Sequence, residues 1–156
     1  MERPFQAVVA APVFCFGIRC DETEIFALEF LSPRAEQAPA NALAAEAVRQ
    51  LNAYLADADS SFSLPLRPAG TRFQRRVWEE IARIPSHQTR SYGDLAKALR
   101  SAPRAVGQAC GANPYPVAVP CHRVIAADGG LGGFARQGGE FFLEIKRWLL
   151  GHERSR

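Results

Sequence analysis

The sequence predicts a mixed α/β (α+β) protein in two parts: a small N-terminal sheet with one helix over residues 1–68, then a mainly helical part over residues 69–156. Three observations carry that expectation. Apolar runs of strand length fill the first thirty residues. Helical periodicity takes over after the linker Arg67-Pro68-Ala69-Gly70. The charge changes sign at the same place: residues 1–68 carry 5 Lys and Arg against 9 Asp and Glu, and residues 69–156 carry 14 against 7. With 47 % apolar and 22 % charged residues, the chain has the composition of a globular protein that buries a core without staples.

Phe5–Ala10, Val13–Cys20 and Glu24–Phe30 read as strands, with Pro12 splitting the first two and Asp21-Glu22-Thr23 turning between the last two. The apolar stretch after Arg3 mimics a signal peptide, but Pro12 interrupts it and no small-x-small cleavage site precedes Arg19 and Asp21. Ala40 to Ala56 predicts a helix, with Leu43, Ala47, Leu51, Tyr54 and Leu55 on one face. Residues 56–61 read as a loop and Phe62–Leu66 as a last strand.

In the second part Thr71-x-x-Gln74 is a capping box, followed by Phe73, Val77, Ile81 and Ile84 at helical spacing and stopped by Pro85. Ser91-x-x-Asp94 opens a second helix carrying Leu95 and Leu99. After the turn Arg100-Ser101-Ala102, Pro103 suits the first position of a third helix, which runs to Ala112 before Asn113-Pro114. Two short helices joined by a tight turn form a helix-turn-helix. Ala105, Gly107, Ala109, Gly111 and Ala112 make the third helix slim, with Arg104 near its start. Each glycine costs about 1 kcal/mol against Ala in a helix. Something therefore approaches this backbone closely, either a DNA groove or another helix.

The basic second half points to a polyanionic partner. No segment approaches transmembrane length, so no membrane partner is expected. Cys15, Cys20, Cys110 and Cys121 form no Cys-x2-Cys pair, and His87, His122 and His152 are scattered, so no metal site is expected. The pattern fits a reduced, cytoplasmic protein in which at most one thiol does chemistry. Cys121 is the candidate: prolines bracket its loop, and its neighbours His122 and Arg123 offer positive charge that lowers a thiol pKa. The alternative is a buried cysteine acting as a small hydrophobe, the commoner case for a Cys-His pair taken alone.

Six motifs occur in order: Gly70-Thr71-x-Phe73-Gln74-x-x-Val77-Trp78, Ser91-Tyr92-Gly93-Asp94-Leu95-Ala96, Arg104-Ala105-Val106-Gly107, Asn113-Pro114, Pro120-Cys121-His122-Arg123-Val124 and Lys146-Arg147-Trp148-Leu149-Leu150-x-His152-Glu153. In these motifs the chain resembles the O6-alkylguanine-DNA alkyltransferases (methylated-DNA–protein-cysteine methyltransferases). The resemblance covers residues 70–153; the N-terminal part matches in general form, as a small domain resembling the ribonuclease H fold.

The resemblance implies stoichiometric, irreversible transfer of an alkyl group from O6-alkylguanine in double-stranded DNA to Cys121, with no cofactor and by a monomer. O4-alkylthymine is a second candidate lesion. His122 relays a proton through a bound water, Glu153 orients His122, and Tyr92 donates to base N3. The carbonyls of Cys121 and Val124 take the exocyclic amine. Pro116 and Phe134 wall the pocket, and Ala135 offers its amide to O6. The lesion base is flipped out of the duplex. Arg104 fills the vacated stack, and the slim helix, with Ala105, Gly107, Gln108 and Gly111, enters the minor groove. Asn113 hinges that helix to the active-site loop, which Arg123 fixes.

Three departures from the family pattern stand out. The stretch from Phe134 to Trp148 is longer than usual, Gly111 replaces a basic residue of some members, and the zinc ligands some members carry in the N-terminal domain have no match. Three rivals are weighed against the alkyltransferase. Non-enzymatic alkyltransferase-like proteins replace the cysteine, a Cys-His hydrolase draws its base from a distant segment, and a plain helix-turn-helix regulator needs no proline-bracketed thiol.

Overall fold

In a computed structural model, which describes residues 4–130 and 139–154, the chain divides into two compact units, Met1–Pro68 and Ala69–Arg156. The first holds an antiparallel sheet of β1 (Ala7–Ala10), β2 (Cys15–Cys20) and β3 (Ile25–Leu31), in that order, and one helix, α1 (Ala42–Ala56). The Asp21 carboxylate accepts from the Thr23 and Glu24 amides at 2.8 Å each and so closes the β2–β3 turn. Asn41 caps α1 through a 2.8 Å bond from the Ala44 amide. Phe14, Phe16, Ile18, Ile25, Leu28, Leu51 and Tyr54 fill the core, with the Phe14 ring edge-on to Phe16 and Phe30.

The strand expected at Phe62–Leu66 is a single bridge, Ile25 to Leu66. Pro65 has no N–H to extend a ladder. The stretch is instead tied by the Gln50 side chain, which accepts from the Ser63 amide (2.8 Å) and donates to the Ser63 carbonyl (3.2 Å).

The second unit begins at Gly70, whose φ of +83° and position under the Trp78 ring exclude a side chain: a Cβ there would lie 2.6 Å from the ring. Helices α2 (Arg72–Ala82) and α3 (Tyr92–Leu99) each start on a complete capping box, at Thr71 and Ser91. Helix α4 (Pro103–Gly111) follows the turn Arg100–Ala102, with Arg100 left-handed at φ 54° as the C-cap of α3. The helix stops one residue short of the expected Ala112. A 3-10 turn at Cys121–Arg123 leads into β5 (Val124–Ile125), which pairs in parallel with β4 (Arg90–Ser91). Helix α5 (Gly139–Arg154) packs against that turn. Val77, Ile81, Leu95, Val106, Ile145 and Leu149 are fully buried and form the core of this unit. Among the described residues, no helix is long and apolar enough to cross a membrane, and no group of three or more His, Cys, Asp or Glu side chains could hold a metal ion.

Candidate active site

The thiol of Cys121 sits on the 3-10 turn, 5 % exposed. The segment leading to it is wound tightly. Val119 donates to the Tyr115 carbonyl at 2.8 Å, and Val117 adopts φ +75°, a conformation β-branched residues avoid. Asn113, just beyond α4, braces the turn. Its amide donates to the Val119 carbonyl (2.9 Å) and to Cys121 Sγ (3.3 Å), while its side-chain oxygen accepts from the Tyr115 amide (2.8 Å). Cys110, on the last turn of α4, accepts at its carbonyl from the Asn113 backbone amide at 3.2 Å.

His122 and Arg123 turn away from the thiol toward Glu153 of α5. His122 Nε2 lies 2.7 Å from Glu153 Oε2, and the Arg123 guanidinium donates to both carboxylate oxygens at 2.9 Å. Arg123 also donates to the Ile84 carbonyl at 2.6 Å, which ties the turn to the end of α2. His122 and Glu153 are buried, so these bonds are shielded from water. Burial pulls the His122 pKa down, against the pull of the carboxylate. A neutral ring then carries its proton on Nε2, as donor to Glu153, and leaves Nδ1 as the basic nitrogen. Nδ1 has no hydrogen-bond partner among the described residues.

The positive charge expected from His122 and Arg123 is thus spent on Glu153. The cation that acts on Cys121 is Lys146, two turns before Glu153 on α5 and fully buried. Its ammonium donates to the Val124 carbonyl at 2.7 Å and lies 5.8 Å from the centre of the Tyr92 ring. Burial pulls its pKa down to about 8, opposed by negative charge at Cys110 and Cys121. The Cys121 thiol itself is pushed up, not down, first by the Cys110 hydrogen bond and then by burial. The Asn113 bond and the Lys146 charge oppose that rise. Half-buried Tyr92 is also pushed up, by burial first, so its phenol keeps its proton and remains a donor.

Among the residues singled out in the sequence, Tyr92, Asn113, Cys121, His122, Arg123, Val124 and Glu153 therefore fall in one region of the second unit. Pro116 is buried in the tight segment before the thiol. Arg104 and Gln108 are exposed on α4, with Ala105, Gly107 and Gly111 half-buried. Phe134 and Ala135 lie outside the described residues. Two functional groups went unread in the sequence, Cys110 and Lys146. The signals were present: Cys110 is one turn before Asn113, and Lys146 stands in the apolar stripe of Ile145, Leu149 and Leu150.

A buried thiol on a tight turn, a histidine–carboxylate pair behind it and a small-residue helix before it define a class of DNA-repair fold, and the chain belongs to the 6-O-methylguanine DNA methyltransferase family. The family's DNA-binding domain matches residues 72–155 and its ribonuclease-like domain residues 8–68. Among curated proteins, the constitutive methylated-DNA–protein-cysteine methyltransferase of Bacillus subtilis is 49 % identical over 112 residues, which are 70 % of this chain and 66 % of that protein, just under two thirds of its length. The methylated-DNA–protein-cysteine methyltransferase of Methanosarcina acetivorans is 47 % identical over 112 residues, 70 % of this chain and 69 % of that protein. Among solved structures, the Mycobacterium tuberculosis O6-methylguanine methyltransferase superimposes with a TM-score of 0.81 at 37 % identity, covering 96 % of this chain and 92 % of that one. The M. tuberculosis OGT in complex with DNA gives 0.79 at 35 % identity, covering 95 % and 91 %.

Proposed function

We propose that this protein repairs DNA by moving an alkyl group from O6 of guanine onto Cys121, irreversibly and once per molecule. The observation that carries the reading is the buried Cys121 thiol beside the His122–Glu153 pair, in a chain of this family. The orphaned Nδ1 of His122 is the base that takes the thiol proton through a water, and Glu153 holds the ring in the tautomer this requires. The Cys121 sulfur then attacks the alkyl carbon; an S–C bond forms and the C–O6 bond breaks. The guanine leaves with a developing negative charge that the protonated Tyr92 meets by donating at N3. Arg123 steadies the turn through Glu153 and Ile84. The thioether product has no route to hydrolysis, so each molecule acts once, with no cofactor.

Residues 69–156 carry DNA binding and transfer, and residues 1–68 support them. The lesion base enters by flipping, with α4 in the minor groove and Arg104 in the vacated stack. Exposed Arg104 and Gln108 share one face of α4, and a Cβ on Gly107 would meet only Tyr92, at an ordinary 4.0 Å. The protein's own packing does not demand glycine there, whereas a narrow groove does. The four cysteines are free thiols, in keeping with a reducing cytoplasm.

Mass spectrometry of the intact protein after incubation with excess duplex containing O6-methylguanine tests the reading. The expected result is one methyl-sized increment that saturates at one per molecule and is absent in Cys121→Ala. Lesion-specific binding with no adduct would replace transfer with non-enzymatic lesion recognition.

A further inference from the structure

Helix α4 is short of positive charge for a helix that enters a DNA groove. Its one cation is Arg104, which the proposed function places in the vacated stack, away from the phosphates. Gln108 is uncharged and Gly111 has no side chain. Duplex DNA is nonetheless held largely through its phosphates, by cations that displace condensed counterions. Such cations stand elsewhere in the second unit. Arg83, Arg90, Arg123 and Arg147 each pair with a carboxylate. Arg76, Arg100 and Arg104 are exposed and, among the described residues, form no ion pair.

These three guanidinium groups belong to one turn. Arg76 reaches across from α2 and donates through Nη2 to the Leu99 carbonyl at 3.4 Å. Leu99 ends α3, so this bond sets the Arg76 guanidinium beside the turn Arg100–Ala102 that leads into α4. One donor of the fork is bound to a neutral carbonyl, and the charge is left unanswered. Arg100 follows Leu99 as the exposed, left-handed C-cap of α3, where Gly or Asn is the usual residue. The neighbouring carboxylates do not neutralise them. Asp94 accepts from the Ser91 amide at 3.4 Å, and Glu79, one turn beyond Arg76, forms no ion pair among the described residues. Like charges gathered at one turn repel, and an approaching polyanion relieves that repulsion.

We propose that Arg76 and Arg100 form a phosphate clamp, which holds the backbone of double-stranded DNA where α4 enters the groove. The clamp supplies affinity without regard to sequence or lesion, and Arg104 and the thiol pocket supply recognition of the damaged base. Arg76 lies outside the helix-turn-helix, on a helix fixed to α4 by the 2.8 Å bond from the Trp78 indole to the Ala109 carbonyl. A phosphate gripped by Arg76 and Arg100 therefore sets the register in which α4, and Arg104 with it, meets the duplex. The clamp rests on the reading of α4 as the groove helix and is independent of alkyl transfer.

The test is fluorescence anisotropy of the full-length protein on labelled duplexes, unmodified and containing O6-methylguanine, over a series of salt concentrations. Arg76→Gln and Arg100→Gln are compared with wild type and with Arg83→Gln, which removes an exposed arginine that pairs with Glu80 at the other end of α2. Each clamp variant is expected to flatten the plot of log affinity against log salt by about 0.9, the share of one phosphate contact. Wild type then loses about 3.5-fold more affinity than either variant for a fourfold rise in salt. At low salt both duplexes are weakened by the same factor, and Arg83→Gln keeps the wild-type slope. If one clamp variant does not fold, the other decides. Wild-type slopes in both clamp variants, an equal flattening in Arg83→Gln, or a loss confined to the lesion duplex overturns the clamp. Flattened slopes in a protein that never takes up a methyl group uphold the clamp and sink the transfer reading. Methyl uptake with all slopes alike sinks the clamp alone.

Discussion

Replacing Lys146 by Met keeps the side-chain length and removes a fully buried ammonium that bonds the Val124 carbonyl. A fall in pKa from 10.5 to about 8 corresponds to a penalty of about 3 kcal/mol on the charged folded state. The sign follows from proton binding. Between about 8 and 10.5 the unfolded chain holds the Lys146 proton more tightly than the folded one, so stability rises with pH across that window and the penalty is complete below it. From pH 7 to pH 9 the relief amounts to about 1 kcal/mol. Cys121 and Tyr92, both pushed up, act in the opposite direction at alkaline pH, but they are present in both proteins and largely cancel in the difference. Urea unfolding followed by tryptophan fluorescence is the assay, because Trp78 and Trp148 both lie in the second unit. Wild type is expected to gain about 1 kcal/mol on Lys146→Met between pH 7 and pH 9. At pH 7 the variant is about as stable as wild type, since the relieved penalty offsets the roughly 1–3 kcal/mol of an unpaired buried carbonyl. Its Cys121 thiol titrates higher, and each unit of that rise removes thiolate about tenfold. Parallel stability curves for the two proteins over this range would refute the reasoning.

Three further outcomes are expected. Glu153→Gln strips the carboxylate from Arg123 and His122 together and lowers stability by about 3 kcal/mol in the same unfolding assay; a loss below about 1 kcal/mol would mean the buried network is not holding the turn. The His122 ring, with its pKa pulled down by burial, titrates below 6.5 by NMR, so it is neutral at pH 7; a midpoint above 6.5 contradicts its role as a base. Arg104→Ala impairs base flipping, read by fluorescence of a reporter base beside the lesion, more than it impairs duplex binding; an equal loss in both assays removes the stacking role.

Elements were legible in the sequence where local chemistry marks their ends. Thr71–Gln74 and Ser91–Asp94 announced helices because a capping box is complete within four residues, and Pro103 fixed the start of α4 because a missing N–H costs nothing there. The β4–β5 pair was not legible, since two residues carry no period. Helix α5 was overlooked as an element, although Ile145, Leu149, Leu150 and Glu153 stand at helical spacing within its last motif. Phe62–Leu66 looked like a strand by composition, and only the tie to Gln50, a long-range contact, explains its course.

The site shows the same division in sharper form. Sequence adjacency placed His122 and Arg123 beside the thiol, but a 3-10 turn has three residues per turn, so consecutive side chains are rotated by about 120° from one another. The turn that presents Cys121 to Asn113 therefore points its basic neighbours elsewhere, to a carboxylate 31 residues along the chain from His122. The thiol's charge environment is then supplied by α5, where Lys146 and Glu153 are two turns apart on one buried face, one serving the nucleophile and the other its base. The same helix thus bears on both groups, Lys146 favouring the thiolate against burial and Glu153 fixing the His122 tautomer. That coupling is a property of the fold and could not be read from the five residues around Cys121.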